Sequence, residues 1–350
     1  MNALTQLLGT EHPLIQAPMA GVQGAALAVA VSNAGALGSL PCAMLTPETM
    51  AQQLDAIAQG TTRPYNVNFF CHTQPEPDDA REAAWRFWLA AYYEEAGIDI
   101  DKVPTGAGRV PFNRAAADIL ERFRPKVVSF HFGLPDIDLL DRVKAWGSVV
   151  ISSATTIEEA RWLEAFGVDA VIAQGVEAGG HRGMFLTDDL TTQMGTMALL
   201  PQIVAAVSVP VIAAGGIADA AGVAAAMALG ASGVQVGTAY LCSHEATTSA
   251  VHRAALQTEA AHHTALTHVF TGRPARGIVN RVMRELGPLN PAAPAFPLAT
   301  AAMAPLRAHW EAHGSGDFSP LWSGQNASQC REQAAAEITR ELIQGFNGAR

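Results

Sequence analysis

Lysine is almost absent from this 350-residue chain, which carries only Lys102, Lys126 and Lys144. Charged residues make up 15%, the formal net charge is −10, and no basic run occurs. A nucleic-acid or anionic-membrane partner is therefore not expected. Cysteine is sparse as well: Cys42, Cys71, Cys242 and Cys330 are scattered, with no C-x-x-C pair and no metal-ligand spacing. That pattern fits reduced thiols in a cytoplasmic protein. The most apolar segments are interrupted by Gly, Pro or Asn before they reach roughly 18 residues, so no membrane span is expected. The first eleven residues lack a basic region ahead of an apolar core, and no signal peptide is expected either.

Hydrophobic residues make up 49% of the chain, the composition of a compact enzyme. Short apolar runs alternate with alanine-rich helical stretches. The expected strands are Pro13–Gln16, Ala36–Leu40, Tyr65–Phe70, Lys126–His131, Ser148–Ser152, Ala170–Gln174, Pro210–Ala214 and Gly233–Val236. Asp136, Thr156 and Asp219 stand where helix N-caps belong. Eight continuously apolar strands separated by helices predict a parallel α/β sheet covered on both faces, and eight is the number that closes a (β/α)8 TIM barrel. A doubly wound open sheet is the competing architecture. The expected layout is a barrel over 1–258, with a lid insertion at about 72–113 rich in aromatics (Trp85, Phe87, Trp88, Tyr92, Tyr93). A C-terminal helical segment, 259–350, would pack on the barrel and close the site, with a final helix over Gln329–Phe346.

The residues from Gln174 to Gly183 carry the strongest signal. A strand ends in a glycine loop, Gly179-Gly180, that presents His181 beside Glu177 and Arg182. A titratable ring at the carboxyl end of a strand is where parallel α/β enzymes keep their chemistry. A tight turn with a solvated histidine is the plainer reading of that loop taken alone. The seventh and eighth strands end in Gly215-Gly216 and in Gln235-Val236-Gly237-Thr238. Backbone N–H groups after these two strands commonly form a phosphate site in barrels, so a phosphate-bearing cofactor is expected rather than a metabolite alone. Polar groups at other strand ends point the same way: Gln16 leading into Ala17-Pro18-Met19, Asn68, and His131, which reads equally as a structural or an active-site histidine. The remaining histidines, His72 and His252 among them, read as surface or packing residues.

Absences narrow the chemistry. No G-x-G-x-x-G follows a first strand, which disfavours a Rossmann dinucleotide site. No lysine lies near the carboxyl end of a strand to form a Schiff base. No His-x-His pair or carboxylate cluster marks a catalytic metal.

Together these motifs resemble the nitronate monooxygenase family, formerly called 2-nitropropane dioxygenases. The match runs from about Pro13 to Glu245, and Trp322-Ser323-Gly324-Gln325 is similar to the family's C-terminal segment that returns towards the flavin. The resemblance implies a barrel with a smaller helical region and a non-covalent FMN. Asn68, Gln174, Gly179, Gly216 and Gln235 to Thr238 would hold that FMN, with Met19 by its ring system. His181 would be the catalytic base in an oxidation of alkyl nitronates, and of nitroalkanes, by O2 to a carbonyl compound and nitrite or nitrate. His131, or more weakly Arg182, would bind the nitro group. Family members with tyrosines near the substrate have no counterpart here after Tyr240, and Phe296-Pro297 stands where Tyr-Pro would be expected. Similar barrels reduce quinones or enoyl thioesters with NAD(P)H, which is the alternative activity; a flavin-sequestering or redox-sensing protein is a third. The oligomeric state is open, a homodimer included.

Overall fold

The computed structural model describes residues 2–76, 78–103 and 108–347. Eight parallel strands form one sheet: β1 Leu14–Gln16, β2 Gly38–Pro41, β3 Tyr65–Phe70, β4 Val127–His131, β5 Val149–Ala154, β6 Ala170–Gln174, β7 Val211–Ala214 and β8 Gly233–Val236. Each pairs with its neighbours in chain order, and β8 returns to β1 in the register Leu14↔Val234 and Gln16↔Val236. The ring closes through a parallel bridge between Ile15 and Leu37, where Gln16 N–H donates to the Leu37 carbonyl at 2.9 Å. The chain therefore folds as a TIM barrel and not as an open sheet.

Side chains alternate in and out along each strand. Val67, Phe69, Val128, Phe130, Val171 and Ala173 join the core between sheet and helices. Ile15, Leu37, Val127, Ile151, Ile172 and Ile212 fill the lower interior, where Leu4 and Leu8 of the helix Ala3–Leu8 plug the amino end. Apolar filling stops there. One or two residues further along the same strands, the inward positions turn polar: Asn68, Ser129, His131, Ser153, Gln174 and Gln235. The floor is thus largely apolar, Asn66 apart, and the carboxyl mouth is polar.

Of the three expected N-caps, Thr156 and Asp219 accept backbone N–H groups of Glu159 and Gly222, whereas the Asp136 side chain makes no cap bond. Two elements depart from the sequence reading. His181 is not on a free loop: Gly180–His181 form a short strand that pairs with Ala275–Ile278, which pairs in turn with Thr264–Thr267. The C-terminal segment contains the helix Ala299–Ala312, with Pro305 inside it. The last helix is Ala335–Ile343, followed by a 3-10 turn to Phe346, so it begins six residues later than expected. The helix Asp79–Ala96 from the insertion and the C-terminal segment share a second apolar core, built on Trp85, Leu89, Tyr93, Phe270, Leu306 and Phe318.

Candidate active site

The carboxyl ends of the strands surround a cleft that opens to solvent. Ala17, Pro18, Met19, Asn68, His131, Gln174, Gly179, Gly180, His181, Gly215, Gly216, Gln235, Gly237 and Thr238 all line it. Val236 does not. The alternation that turns Gln235 inward turns Val236 outward, into the core beneath the helices, and its carbonyl is taken by the Ala17 N–H at 2.8 Å.

Two glycines explain how the main chain comes so close. Gly216 has φ +75°, a left-handed conformation that side chains disfavour. At Gly179 an added Cβ would lie 2.5 Å from the Gly324 nitrogen, so the returning segment can seat only against a bare backbone. That segment is fastened by Gly324 N–H to Thr238 Oγ1 at 2.9 Å and by Gln325 N–H to the Glu177 carbonyl at 2.9 Å.

His181 lies in an aromatic enclosure. Its ring centroid is 5.3 Å from Phe296, 5.7 Å from Trp322 and 5.9 Å from both Phe70 and Phe132. Burial, and then the charges of Arg109, His131 and Arg273, hold its pKa well below the usual 6.5. Nε2 lies 3.0 Å from Thr271 Oγ1. His131 has both nitrogens engaged within the protein, Nδ1 with Ser153 Oγ at 3.1 Å and Nε2 with the His181 carbonyl at 3.2 Å. Burial lowers its pKa to about 4. Gln174 is likewise committed: its amide donates to the same carbonyl at 3.0 Å and accepts from Gly183 N–H at 2.7 Å.

Arg182 is a correction. Its side chain is 0% exposed, and its guanidinium binds the carbonyls of Gly175 and Gln174 and the amide of Gln193. An arginine buried and engaged in this way holds the glycine loop and does not line the cleft. Glu177 also faces away from the cleft contents, tying down the N–H and hydroxyl of Thr196.

The cation that does reach the cleft is Arg109, from the insertion. It sits with its guanidinium 5.4 Å from the Phe296 ring, and Nη1 is buried without a partner among the described residues. An arginine in a Gly/Pro loop reads as solvated unless the insertion folds back, and nothing local signals that it does. Of the two histidines read as surface or packing residues, His72 packs as expected and His252 instead reaches the cleft. His252 lines the cleft with Nε2 3.0 Å from the Trp322 carbonyl. His72 is 5% exposed and packs edge-on against Phe296 at 4.8 Å. Among the described residues no Asp or Glu lines the cleft. Among the described residues no group of three His, Cys, Asp or Glu side chains could hold a metal, and no helix is long and apolar enough to cross a membrane.

Comparison with known proteins agrees with this geometry. Residues 1–345 match the family model described as nitronate monooxygenase. A nitronate monooxygenase of Pseudomonas aeruginosa is 42% identical over 99% of both chains. Among solved structures, a nitroalkane oxidase from Streptomyces ansochromogenes superposes with a TM-score of 0.89 at 39% identity, covering 99% of each chain. FabK from Thermotoga maritima is more distant, with a TM-score of 0.72 at 25% identity over 99% of this chain and 96% of that one. The barrel, the equipped cleft and these similarities over nearly the whole length lead to one conclusion: the chain is an oxidoreductase that belongs to the nitronate monooxygenase family.

Proposed function

We propose that the protein oxidises alkyl nitronates with O2, on a non-covalent FMN, to a carbonyl compound and nitrite or nitrate. The observation that carries this reading is the charge of the cleft. It holds the Arg109 guanidinium and the three imidazoles of His131, His181 and His252, and among the described residues no carboxylate, so it favours a small anion with an apolar tail that fits among Phe70, Phe132 and Phe296.

The residues present fit the cofactor. Gln235 Oε1 is buried in the cleft with no protein partner, and a ligand N–H would satisfy it. Gly215, Gly216 and Gly237 leave backbone open at the phosphate position after β7 and β8, and Asn68, Gly179, Gly180 and Thr238 complete the enclosure, with Met19 near the ring system. FMN, when bound, supplies the acceptor for the substrate's electrons and passes them to O2.

The chain's own groups do the rest. Arg109 pairs with the anionic nitro oxygens. His131 and Gln174 hold the His181 carbonyl, and so orient its ring. A nitronate arrives already deprotonated and needs no base. A neutral nitroalkane needs His181, which its surroundings keep uncharged and able to accept the α-proton. Phe70, Phe132, Phe296 and Trp322 keep water from the reacting carbon.

The test is aerobic turnover of purified holoenzyme. O2 uptake with nitrite release on an alkyl nitronate supports the reading. No uptake on nitronate, with rapid oxidation of NADH by a quinone, would assign the cleft to the reductase activity.

A further inference from the structure

We infer that Thr271 selects the reactive tautomer of His181: it takes the Nε2 proton and leaves the Nδ1 lone pair facing the substrate. The inference rests on the reading of His181 as acceptor of the nitroalkane proton, and it names the atom that accepts it.

Thr271 is 2% exposed, in the turn that joins the strands Thr264–Thr267 and Ala275–Ile278. The second of these pairs with the His181 strand, Ala275 opposite His181, and Arg182 N–H donates to the Pro274 carbonyl at 2.8 Å. The hydroxyl and the ring are therefore held in register by the ladder. An added Cβ at Gly272 would strike the Pro294 carbonyl, so the turn is packed tightly against the chain behind it.

Two proton arrangements are possible across the 3.0 Å contact between Nε2 and Oγ1. In the first, the Thr271 O–H donates to the Arg273 carbonyl, 3.3 Å away, and its oxygen accepts from Nε2–H. In the second, the hydroxyl donates to a bare Nε2. That forfeits the bond to the Arg273 carbonyl, which has no other protein donor among the described residues, and places the ring proton on Nδ1. Nδ1 has no hydrogen bond within the protein and is not among the buried orphans, so it faces the cleft. Arg273 N–H reaches Oγ1 at 3.5 Å in either case, and beyond that bond the first arrangement makes two internal hydrogen bonds and the second makes one. A hydrogen bond left unmade in a dry site costs more than a made one gains, so the first arrangement dominates.

The proton balance is simple. The α C–H bond of the nitroalkane breaks, its electron pair stays as the nitronate, and the proton goes to Nδ1. The imidazolium so formed keeps Nε2–H on Thr271 and faces the anion it has created. That anion offsets the positive surroundings that keep the resting ring neutral. Thr271 touches no reacting atom and is a positioning residue.

The test compares Thr271→Val, which keeps the shape and loses the hydroxyl, with Thr271→Ser, which restores it, both as holoenzymes beside His181→Asn. Loss of tautomer control is worth up to about 10⁴-fold in a related histidine arrangement, so a loss of about 10- to 10³-fold in kcat/KM on a neutral nitroalkane is expected for Thr271→Val. Turnover of the preformed nitronate should change by less than about 3-fold, because it needs no base. Thr271→Ser should recover the nitroalkane activity. In 15N spectra of labelled protein, the His181 Nε2–H form should dominate in wild type and in Thr271→Ser and be lost in Thr271→Val. Equal losses on both substrates, or no rescue by serine, would overturn the inference. If His181→Asn is selective for the nitroalkane while Thr271→Val is silent, Thr271 alone loses its role. If His181→Asn spares the nitroalkane, the base reading falls and this inference with it.

Discussion

Nε2 of His131 lies 3.2 Å from the main-chain carbonyl of His181, so one histidine of the cleft donates to the backbone of the other. A carbonyl can only accept. Nε2 of His131 therefore carries the hydrogen, and Nδ1 is left to accept from the Ser153 hydroxyl at 3.1 Å. Gln174 donates to the same carbonyl at 3.0 Å. His131→Phe should slacken the His181 strand without removing any group from the chemistry. The lost hydrogen bond, about 1 kcal/mol, corresponds to about a 5-fold fall in kcat/KM. Steady-state assays should find that fall on the neutral nitroalkane, which needs His181, with little change on the preformed nitronate. An equal loss on the nitronate would mean that His131 itself meets the substrate.

His181→Asn should behave differently. Oxidation of a neutral nitroalkane should fall by about 10²–10⁴-fold in kcat/KM, the usual contribution of a general base, while oxidation of the preformed nitronate is largely kept. Flavin occupancy, read from the absorbance of the purified variant, should be unchanged. Equal losses would make His181 an anchor for the anion instead.

Gly237→Asp tests the phosphate site. The nearest atoms to an added Cβ are Ala17 Cβ at 3.4 Å and Met19 Sδ at 3.6 Å, so the side chain fits and the fold should survive. Its carboxylate then repels a phosphate at the position assigned to it. The expected result is a folded, colourless protein; wild-type flavin content would remove Gly237 from the site.

Much of this was legible in the chain because it is local. A continuous apolar run flanked by glycine specifies a barrel strand and its loop in a few residues, as at Ala170–Gln174 and Gly233–Val236. The other half of the site is not local. Phe70, Phe132 and Phe296 meet only after the barrel closes and the C-terminal segment folds back, and Thr271 reaches His181 from 90 residues away. Arg182 and Arg109 show the same limit from opposite sides. The arginine beside the histidine is consumed by backbone carbonyls, and the arginine in an undistinguished loop lines the cleft. Val236 stands between two cleft residues, Gln235 and Gly237, in one contiguous motif, and the strand's alternation turns its side chain into the core instead.

Acid should destabilise the protein early. Burial lowers His72, His131 and His252 to about 4, and His181 lies well below 6.5. Each ring is neutral when folded and protonates near 6.5 when unfolded, so the unfolded state binds more protons below that pH. The associated stability is present above pH 6.5 and is lost as pH falls towards 4, at about 1.4 kcal/mol per unit for each group. Thermal melts should give a steady Tm from pH 7 to 8 and a steep fall between pH 6.5 and 4. His252→Gln, which keeps a donor for the Trp322 carbonyl, should make that fall shallower. A flat Tm across this window would contradict the assignment of these rings as buried and neutral.

The central claim is that the cleft takes electrons from a nitronate. It is tested most directly by titrating the purified yellow protein anaerobically, with alkyl nitronate in one cuvette and NADH in the other. The account predicts loss of flavin absorbance with nitronate within a turnover time, full recovery on admitting O2 with nitrite or nitrate formed, and no comparable bleaching by NADH. Bleaching by NADH with none by nitronate would contradict it.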